Sequence, residues 1–249
     1  MFRFVTLCIL LQCISLSAFV VGRTNLHPTT SSQRLDATTA DEPTLTSDED
    51  SLVHPPYDIE RIPYRIGHGF DIHRMAPIEV AGQPIVIAGV TIPHPPQQWT
   101  DVTGEYCGTP GGIHKTELGV VAHSDGDVVY HSVVDAMFGA LTLPDIGQVF
   151  ADTDPRWNGC DSSRFMEYAY SVMEEYGYQV GNLDVTLILE RPKVASFKPG
   201  MKENLVRLLH TTPGRVNIKA RTHEKMDSVG ELRSVSCHVV MTLELKPEK

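Results

Sequence analysis

The stretch Gly67-His68-Gly69-Phe70-Asp71-Ile72-His73 combines the pattern of a β-strand with two side chains that can bind a metal ion. Because successive side chains of a strand point to opposite faces, Asp71 and His73 should lie on the same face. His131 follows in a run whose apolar residues recur at helical spacing. One aspartate and two histidines form a ligand set that suits zinc. Three protein ligands leave one coordination position open, which is typical of a catalytic zinc site.

The segment His123-Ser124-Asp125-Gly126-Asp127 directly precedes that helical run. An isolated Asp-x-His pair occurs often by chance, and His131 alone could be a half-buried helix residue. Serine or aspartate before a helix is ordinary capping. The additional histidine and second aspartate exceed what a cap requires, so the segment favours a polar site at the start of this helix.

The periodicity of the remaining chain alternates between strand and helix. It predicts strands at 64–72, 84–92, 180–190, 215–223 and 234–245 and helices at 127–141, 162–177 and 198–209. This order predicts an α/β fold of the α+β sandwich type: one mixed four-stranded sheet with helices on one face, plus a small N-terminal hairpin. Residues 93–116, rich in proline, glycine and polar residues, are interpreted as an inserted surface loop.

The first 60 residues differ in composition from the rest. Residues 1–22 have one basic residue, no acid and a long apolar core, which indicates a secretory signal peptide; a membrane anchor is the alternative. Residues 23–60 are rich in Thr, Ser, Pro and acidic residues and are expected to be a disordered, transit-like leader, although transit peptides are usually poor in acids. The catalytic domain is then expected at 61–249.

The formal net charge of −10 is unevenly distributed, since residues 1–23 contribute +2, residues 24–60 contribute −7 and residues 61–249 contribute −5. The core has no basic stripe, which argues against nucleic acid as a partner. The three cysteines beyond the signal segment are too far apart for a zinc-ribbon or redox motif. Among them, Cys107 is the most plausible reactive thiol, and Cys237 lies in an apolar strand expected to be core.

Five ordered blocks together resemble the 2-C-methyl-D-erythritol 2,4-cyclodiphosphate synthase family over residues 64–245. The blocks are RIGHGFDIH (65–73), AHSDGDVVYH (122–131), DIGQVFADTDP (145–155), GNLDVTLILERPK (181–193) and VNIKARTHEK (216–225). Members of this family are homotrimeric zinc enzymes of the non-mevalonate isoprenoid pathway, with active sites between subunits. The resemblance therefore implies a homotrimer and a plastid location, as with the two-part leaders of apicomplexan parasites. No stable membrane association is expected after leader removal.

The resemblance also implies a reaction, in which 4-diphosphocytidyl-2-C-methyl-D-erythritol 2-phosphate is cyclised and CMP is released. The 2-phosphate attacks the β-phosphate of the same molecule, so charge neutralisation and orientation are needed instead of a protein nucleophile. Zn²⁺, one per subunit, would be bound by Asp71, His73 and His131. A second ion, Mg²⁺ or Mn²⁺, would accompany the substrate diphosphate and be bound by Glu224.

The other site residues follow from the same resemblance. The catalytic candidates are His123, beside the zinc, and Thr222, opposite it. The candidate substrate-binding residues, running from the phosphate end to the cytidine end, are Ser124, Asp145, Ile146, Gly147, Phe150, Asp152, Asp154, Leu189, Lys193, Ala195 and Arg221. For Asp154, helix capping is nearly as good an interpretation.

Two departures from the family pattern stand in the last block and beyond it. In the resembled family, the position of Arg221 is a threonine that contacts the nucleotide phosphate. Glu231 and Arg233 reverse an Arg-x-Glu pair that lines a central trimer cavity in that family.

Two alternative functions are kept beside the synthase: a zinc phosphoester hydrolase that uses His123 as a base, and a non-catalytic trimeric binding protein, which the altered residues would favour. The unaltered zinc ligands favour the synthase.

Overall fold

Strands and helices alternate along the chain in a computed structural model that describes residues 52–106 and 108–247. The strands are β1 (Tyr64–Pro77), β2 (Ile85–Ile87), β3 (Val90–Ile92), β4 (Gln97–Asp101), β5 (Gly112–Thr116), β6 (Leu118–Val121), β7 (Tyr178–Ile188), β8 (Val216–Arg221) and β9 (Ser234–Leu245). The longer helices are α1 (Val128–Ala140), α2 (Ser163–Glu175) and α3 (Lys198–Leu208). Cys107 and residues 1–51, with the predicted signal peptide, lie outside the described residues.

The main sheet has five strands in the order β6-β1-β9-β7-β8. Strands β7 and β8 are parallel, and the other neighbours are antiparallel. The predicted mixed α/β class is therefore confirmed, but the prediction of four strands in this sheet is wrong. The fifth strand, β6, pairs with the end of β1, which continues past the predicted end at residue 72 to Pro77.

Helix α1 packs directly on β1 because two glycines of that strand face it. A Cβ atom at Gly67 would lie 1.7 Å from the main-chain oxygen of Ala136, and one at Gly69 would lie 1.9 Å from that of Ser132. No residue with a side chain fits at these distances. The Gly-x-Gly spacing thus sets the position of α1, and with it the position of His131, relative to β1.

Asp127 begins helix α1 and also holds the neighbouring hairpin. Its buried carboxylate accepts hydrogen bonds from the main-chain N–H groups of Val129 and Tyr130 at the helix N-terminus. It accepts two more from Ala88 and Gly89, in the turn between β2 and β3. One side chain therefore satisfies four donors that would otherwise be buried without partners.

The predicted strand 84–92 is wrong, because this segment is the hairpin β2–β3. Its turn residues Ala88 and Gly89 have φ values of 48° and 70°, the left-handed conformation that two-residue hairpin turns require. An alanine in that conformation gives no sequence signal, and the hydrogen bonds to Asp127 account for its stability.

The prediction of an irregular surface loop at 93–116 also needs correction. Strands β4 and β5 pair antiparallel there, with Trp99 98% buried. The carboxylate of Asp101 accepts hydrogen bonds from the main-chain N–H groups of Gly104 and Tyr106 in the connecting loop. A single buried apolar side chain does not produce an alternating pattern, which is why the strand was not predicted.

Residues 52–60, assigned from sequence to the leader, contact the folded core. Val53 is fully buried, and its carbonyl accepts a hydrogen bond from the Tyr176 hydroxyl. The Glu60 carbonyl accepts one from the Arg65 guanidinium. Across the described residues, no helix combines the length and apolar character needed to cross a bilayer.

Candidate active site

The three residues proposed as metal ligands lie together where β1 meets the first turns of α1. Oδ2 of Asp71 is 3.3 Å from Nε2 of His73 and 3.1 Å from Nδ1 of His131. One ligand atom from each residue lies within 4.8 Å of the others. The strand alternation places the first two side chains, and the contact between α1 and the strand glycines places the third.

The charges and hydrogen bonds of the triad suit a cation. The main-chain N–H of Ile72 donates to Oδ1 of Asp71, which leaves Oδ2 directed at the two imidazoles. Burial alone would raise the pKa of Asp71, but the hydrogen bond with His131 and the nearby imidazoles outweigh it, so the pKa is lowered. Burial lowers the pKa of His73 in spite of the Asp71 charge. An ionised aspartate and a neutral histidine are the forms that bind metals.

The buried Nε2 atom of His73 has no hydrogen-bond partner among the described residues. A buried polar atom without a partner is unfavourable unless something else satisfies it. Because this nitrogen faces the carboxylate of Asp71, a bound cation would satisfy both groups. The triad therefore fits a divalent metal ion.

A cavity of about 260 Å³ opens beside the triad. It is lined by His73, Ala122, His123, Ser124, His131, Ile146, Gly147, Phe150, Asp152, Trp157 and Phe165. Besides the metal ligands, six of these residues are candidates named from the sequence: His123, Ser124, Ile146, Gly147, Phe150 and Asp152. The cavity lining combines polar groups with an aromatic wall formed by Phe150, Trp157 and Phe165, and Phe165 packs against the His131 ring at 5.8 Å.

Asp145 and Asp154 have local structural contacts instead of lining the cavity. Asp145 caps the helical turn Ile146–Val149 by accepting a hydrogen bond from the N–H of Gln148. Asp154 accepts hydrogen bonds from the main chain and the guanidinium of Arg156. The capping interpretation of Asp154 thus agrees with its contacts.

The aromatic wall was not found from sequence. Phe165 stacks on Phe150 with ring centroids 4.5 Å apart, and Trp157 packs edge-on against Phe150 at 5.4 Å. Trp157 and Phe165 gave no signal because single aromatic residues near helix starts are most often core residues. Their contact with Phe150 fixes one side of the cavity.

The residues proposed for the nucleotide end, the second metal ion and the transition state lie elsewhere in the chain. Six of them lie at or just after the ends of β7 and β8, and none lines the cavity: Leu189, Lys193, Ala195, Arg221, Thr222 and Glu224. Thr222 and Glu224 contact each other, with Oγ1 and Oε1 3.2 Å apart. Strand β8 is separated from β1 by β9 and β7, which corresponds to about 14 Å at the usual strand spacing. Within one chain, the structure does not bring these residues to the metal triad.

Glu231 and Arg233, which depart from the family pattern, form a local ion pair, with Nε of Arg233 2.8 Å from Oε2 of Glu231.

The two described cysteines, Cys160 and Cys237, are buried free thiols, and burial raises the pKa of Cys237 to about 12. A thiol with this pKa is unreactive at neutral pH.

A mixed sheet with an Asp-His-His triad beside a part-polar cavity is typical of α/β enzymes that have a divalent metal site. Comparison with known proteins shows to which family of this class the chain belongs. A family model described as the YgbB family matches residues 109–244. The chloroplastic 2-C-methyl-D-erythritol 2,4-cyclodiphosphate synthase of Oryza sativa is 49% identical over 74% of this chain and 72% of the relative. The synthase of the same name from Geobacter sulfurreducens is 38% identical over 73% of this chain and 99% of the relative.

A solved structure, IspF of Plasmodium falciparum in complex with CDP, has the same fold. It is 27% identical, has a TM-score of 0.58, and covers 76% of this chain and 100% of its own. The chain therefore belongs to the YgbB family, the 2-C-methyl-D-erythritol 2,4-cyclodiphosphate synthases.

Proposed function

We propose that this chain converts 4-diphosphocytidyl-2-C-methyl-D-erythritol 2-phosphate to 2-C-methyl-D-erythritol 2,4-cyclodiphosphate and CMP, in isoprenoid biosynthesis. The observation that carries the proposal is the metal triad opening onto a cavity lined by His123 and Ser124, in a chain of this family. An oxygen of the 2-phosphate forms a bond to the β-phosphorus, the bond to the bridging oxygen breaks, and CMP leaves with that oxygen.

The metal at the triad is proposed to be zinc. Two nitrogens and one oxygen are a typical zinc set, whereas magnesium prefers oxygen ligands. Ligands bound tetrahedrally to zinc at 2.0–2.1 Å are about 3.3 Å from one another, and the spacings of 3.3 and 3.1 Å in the triad agree with this. When bound, zinc would act as a Lewis acid on a phosphate oxygen. Glu224 is proposed to bind Mg²⁺ or Mn²⁺ together with the diphosphate.

The protein side chains orient two anionic phosphates and exclude water. His123 and Ser124, at the polar side of the cavity, are proposed to hold the phosphates beside the metal. The Thr222 hydroxyl is proposed to donate to the phosphorane-like transition state from the opposite side. The wall of Phe150, Trp157 and Phe165 keeps water from the β-phosphorus, which disfavours hydrolysis relative to cyclisation.

The cytidine end of the site is proposed to come from a second copy of the chain in a homotrimer. Thr222, Glu224 and Lys193 lie far from the cavity of their own chain, so a site that uses them needs a neighbour. The β1 part of the sheet face opposite the helices supports association because it carries apolar side chains that are uncovered in a single chain. On it, Tyr64 is 69% and Ile66 73% exposed, and Phe70 and Ile72 are also exposed. Monomers rarely leave such a patch open.

Complementation between two inactive variants tests the shared site. His73→Ala should inactivate the metal side and Glu224→Ala the nucleotide side. In randomly mixed trimers produced by co-expression, half of the metal sides and half of the nucleotide sides are intact. About a quarter of the parent activity should therefore return, because each site draws its two sides from different copies.

The matched control pairs His73→Ala with Asp71→Ala, since both changes lie on the metal side. No mixed site then has an intact metal side, and activity should stay absent. Activity that fails to return with His73→Ala and Glu224→Ala, in confirmed mixed trimers, would show that one chain supplies both sides.

The plastid is proposed as the location. The relatives from Oryza sativa and Arabidopsis thaliana are named chloroplastic, and residues 1–60 have the composition of a signal peptide and transit-like leader. Residues 1–60 fused to a fluorescent protein should direct it to the plastid, here the apicoplast, whereas residues 23–60 alone should leave it in the cytosol. Secretion of the longer fusion from the cell would contradict the proposal.

A further inference from the structure

The two ring nitrogens of His131 have different environments. Nδ1 faces the metal position, 3.1 Å from Oδ2 of Asp71. Nε2 faces the opposite way, 2.9 Å from Oγ of Ser162 and 3.1 Å from Oγ of Ser124. The imidazole is therefore held by hydroxyl groups on the side away from the metal.

The hydroxyl of Ser162 is in turn held by Asp125. It donates to Oδ1 of Asp125 over 2.5 Å, and the main-chain N–H of Ser162 donates to Oδ2 over 3.2 Å. An ionised carboxylate accepts hydrogen bonds and cannot donate them, so the single hydroxyl proton of Ser162 is directed at Asp125. The oxygen of Ser162 remains as an acceptor, so it can bind Nε2 of His131 when that nitrogen carries a proton.

The position of Ser162 in the chain supports a role at the metal site. It stands immediately before α2, where a serine ordinarily caps the helix, yet its side chain makes no capping hydrogen bond. Ser162 has no solvent exposure, and a buried hydroxyl is unfavourable without partners. Its partners are His131, Asp125 and, at 3.4 Å, the Ser124 hydroxyl, so the hydroxyl of Ser162 serves the metal side of the site instead of the helix terminus.

We propose that Asp125 and Ser162 are positioning residues for the metal, acting through His131. When the metal is bound, the chain of hydrogen bonds keeps the remaining proton of His131 on Nε2 and leaves the Nδ1 lone pair for the metal. The carboxylate at its far end also makes the imidazole a stronger ligand, since groups that hold a metal-binding histidine raise its basicity. This inference rests on the proposed metal site, and it concerns two residues that do not contact the metal.

The test measures the dissociation constant for Zn²⁺ of the full chain by competition with a chromophoric chelator. Ser162→Ala and Asp125→Ala should each weaken Zn²⁺ binding by about 10- to 100-fold, the usual effect of removing such a partner. Ser162→Thr, which keeps the hydroxyl, should retain the parent affinity. The control is Ser132→Ala, a buried serine beside His131 that donates to the main-chain carbonyls of Val128 and Cys237. Its loss should leave Zn²⁺ affinity unchanged.

In the proposed relay, Asp125 acts on His131 through Ser162. The double variant Asp125→Ala/Ser162→Ala shows whether the two residues act in this way or independently of each other. If Asp125 acts through Ser162, the double variant should bind Zn²⁺ no more weakly than Ser162→Ala alone. The visible absorption spectrum of the Co²⁺-loaded protein should change in the same way in both single variants. If the alanine variants do not fold, Asp125→Asn, which keeps the side-chain shape, should still weaken Zn²⁺ binding.

Parent protein that binds no Zn²⁺ would overturn the proposed metal site, and the relay with it. Parent protein that binds Zn²⁺ while Ser162→Ala binds it equally well would overturn the relay alone. Additive losses in the double variant would also overturn it, because they would show that Asp125 does not act through Ser162.

Discussion

Replacing His73 by alanine should abolish turnover and remove the metal while leaving the fold intact. His73 supplies one of the three ligand atoms, and its Nε2 has no other partner in the described structure. Two remaining ligands bind a divalent ion weakly. Because a catalytic metal contributes several kcal/mol of transition-state stabilisation, kcat should fall at least about 1,000-fold. Metal content by mass spectrometry should fall in parallel from one zinc per chain.

The fold should survive this change because the His73 side chain lines the cavity and is not part of the hydrophobic core. Far-UV circular dichroism and the thermal unfolding of the metal-free protein should match those of the parent. His210→Ala is the matched control, since His210 lies at the end of α3 and does not line the cavity; it should keep activity and zinc. A His73→Ala protein with near-parent activity would refute the metal assignment.

Gly69→Ala, a change of one methyl group, should cause a large loss of stability. The added Cβ would lie 1.9 Å from the Ser132 carbonyl oxygen and 2.9 Å from the Ala136 nitrogen. Both atoms belong to the main chain of α1, so no side chain can move aside and the helix itself has to shift. Overpacking costs about 1–3 kcal/mol in the free energy of unfolding and occasionally more, and with main-chain atoms this close we expect about 3 kcal/mol.

Gly69→Ala should also weaken zinc binding, because α1 carries His131 next to Ser132. A helix displaced from β1 moves Nδ1 of His131 away from Asp71. Urea unfolding at a fixed chain concentration measures the free energy, and chelator competition measures zinc affinity.

The control for this prediction is Gly139→Ala, in the same helix. A Cβ there would find its nearest heavy atom, the His68 carbonyl oxygen, at 3.9 Å. Alanine is the better helix former by about 1 kcal/mol, so this variant should be slightly stabilised and should bind zinc normally. If Gly69→Ala unfolds with the same free energy as the parent, α1 does not pack on β1 as described.

The metal triad was predictable because two simple periodicities determine it. The strand period of two places Asp71 and His73 on one face, and the helical period places His131 at the start of α1. The approach of that helix to β1 was also encoded, in the Gly-x-Gly of residues 67–69, although its meaning needed the structure. Local patterns therefore carried most of the metal side of the site.

Other parts depended on contacts distant in sequence. The β2–β3 turn places Ala88 in a left-handed conformation, which is stabilised by Asp127 from another element. Ser162 has the sequence signature of a helix cap, and its contact with His131 appears after the chain has folded. The nucleotide-side residues, such as Glu224, lie away from the cavity of their own chain because β8 is separated from β1 by two strands, an order that local patterns do not predict.

The reaction itself is tested most directly by phosphorus NMR of the zinc-loaded protein with magnesium and the cytidyl diphosphate substrate. The protein should begin at residue 52 or earlier, since Val53 is part of the core. We expect the diphosphate signals of the substrate to be replaced by those of a cyclic diphosphate and CMP in equal amounts. CMP with a linear phosphate product would instead identify a hydrolase, and an unchanged spectrum from zinc-replete protein would contradict the catalytic function.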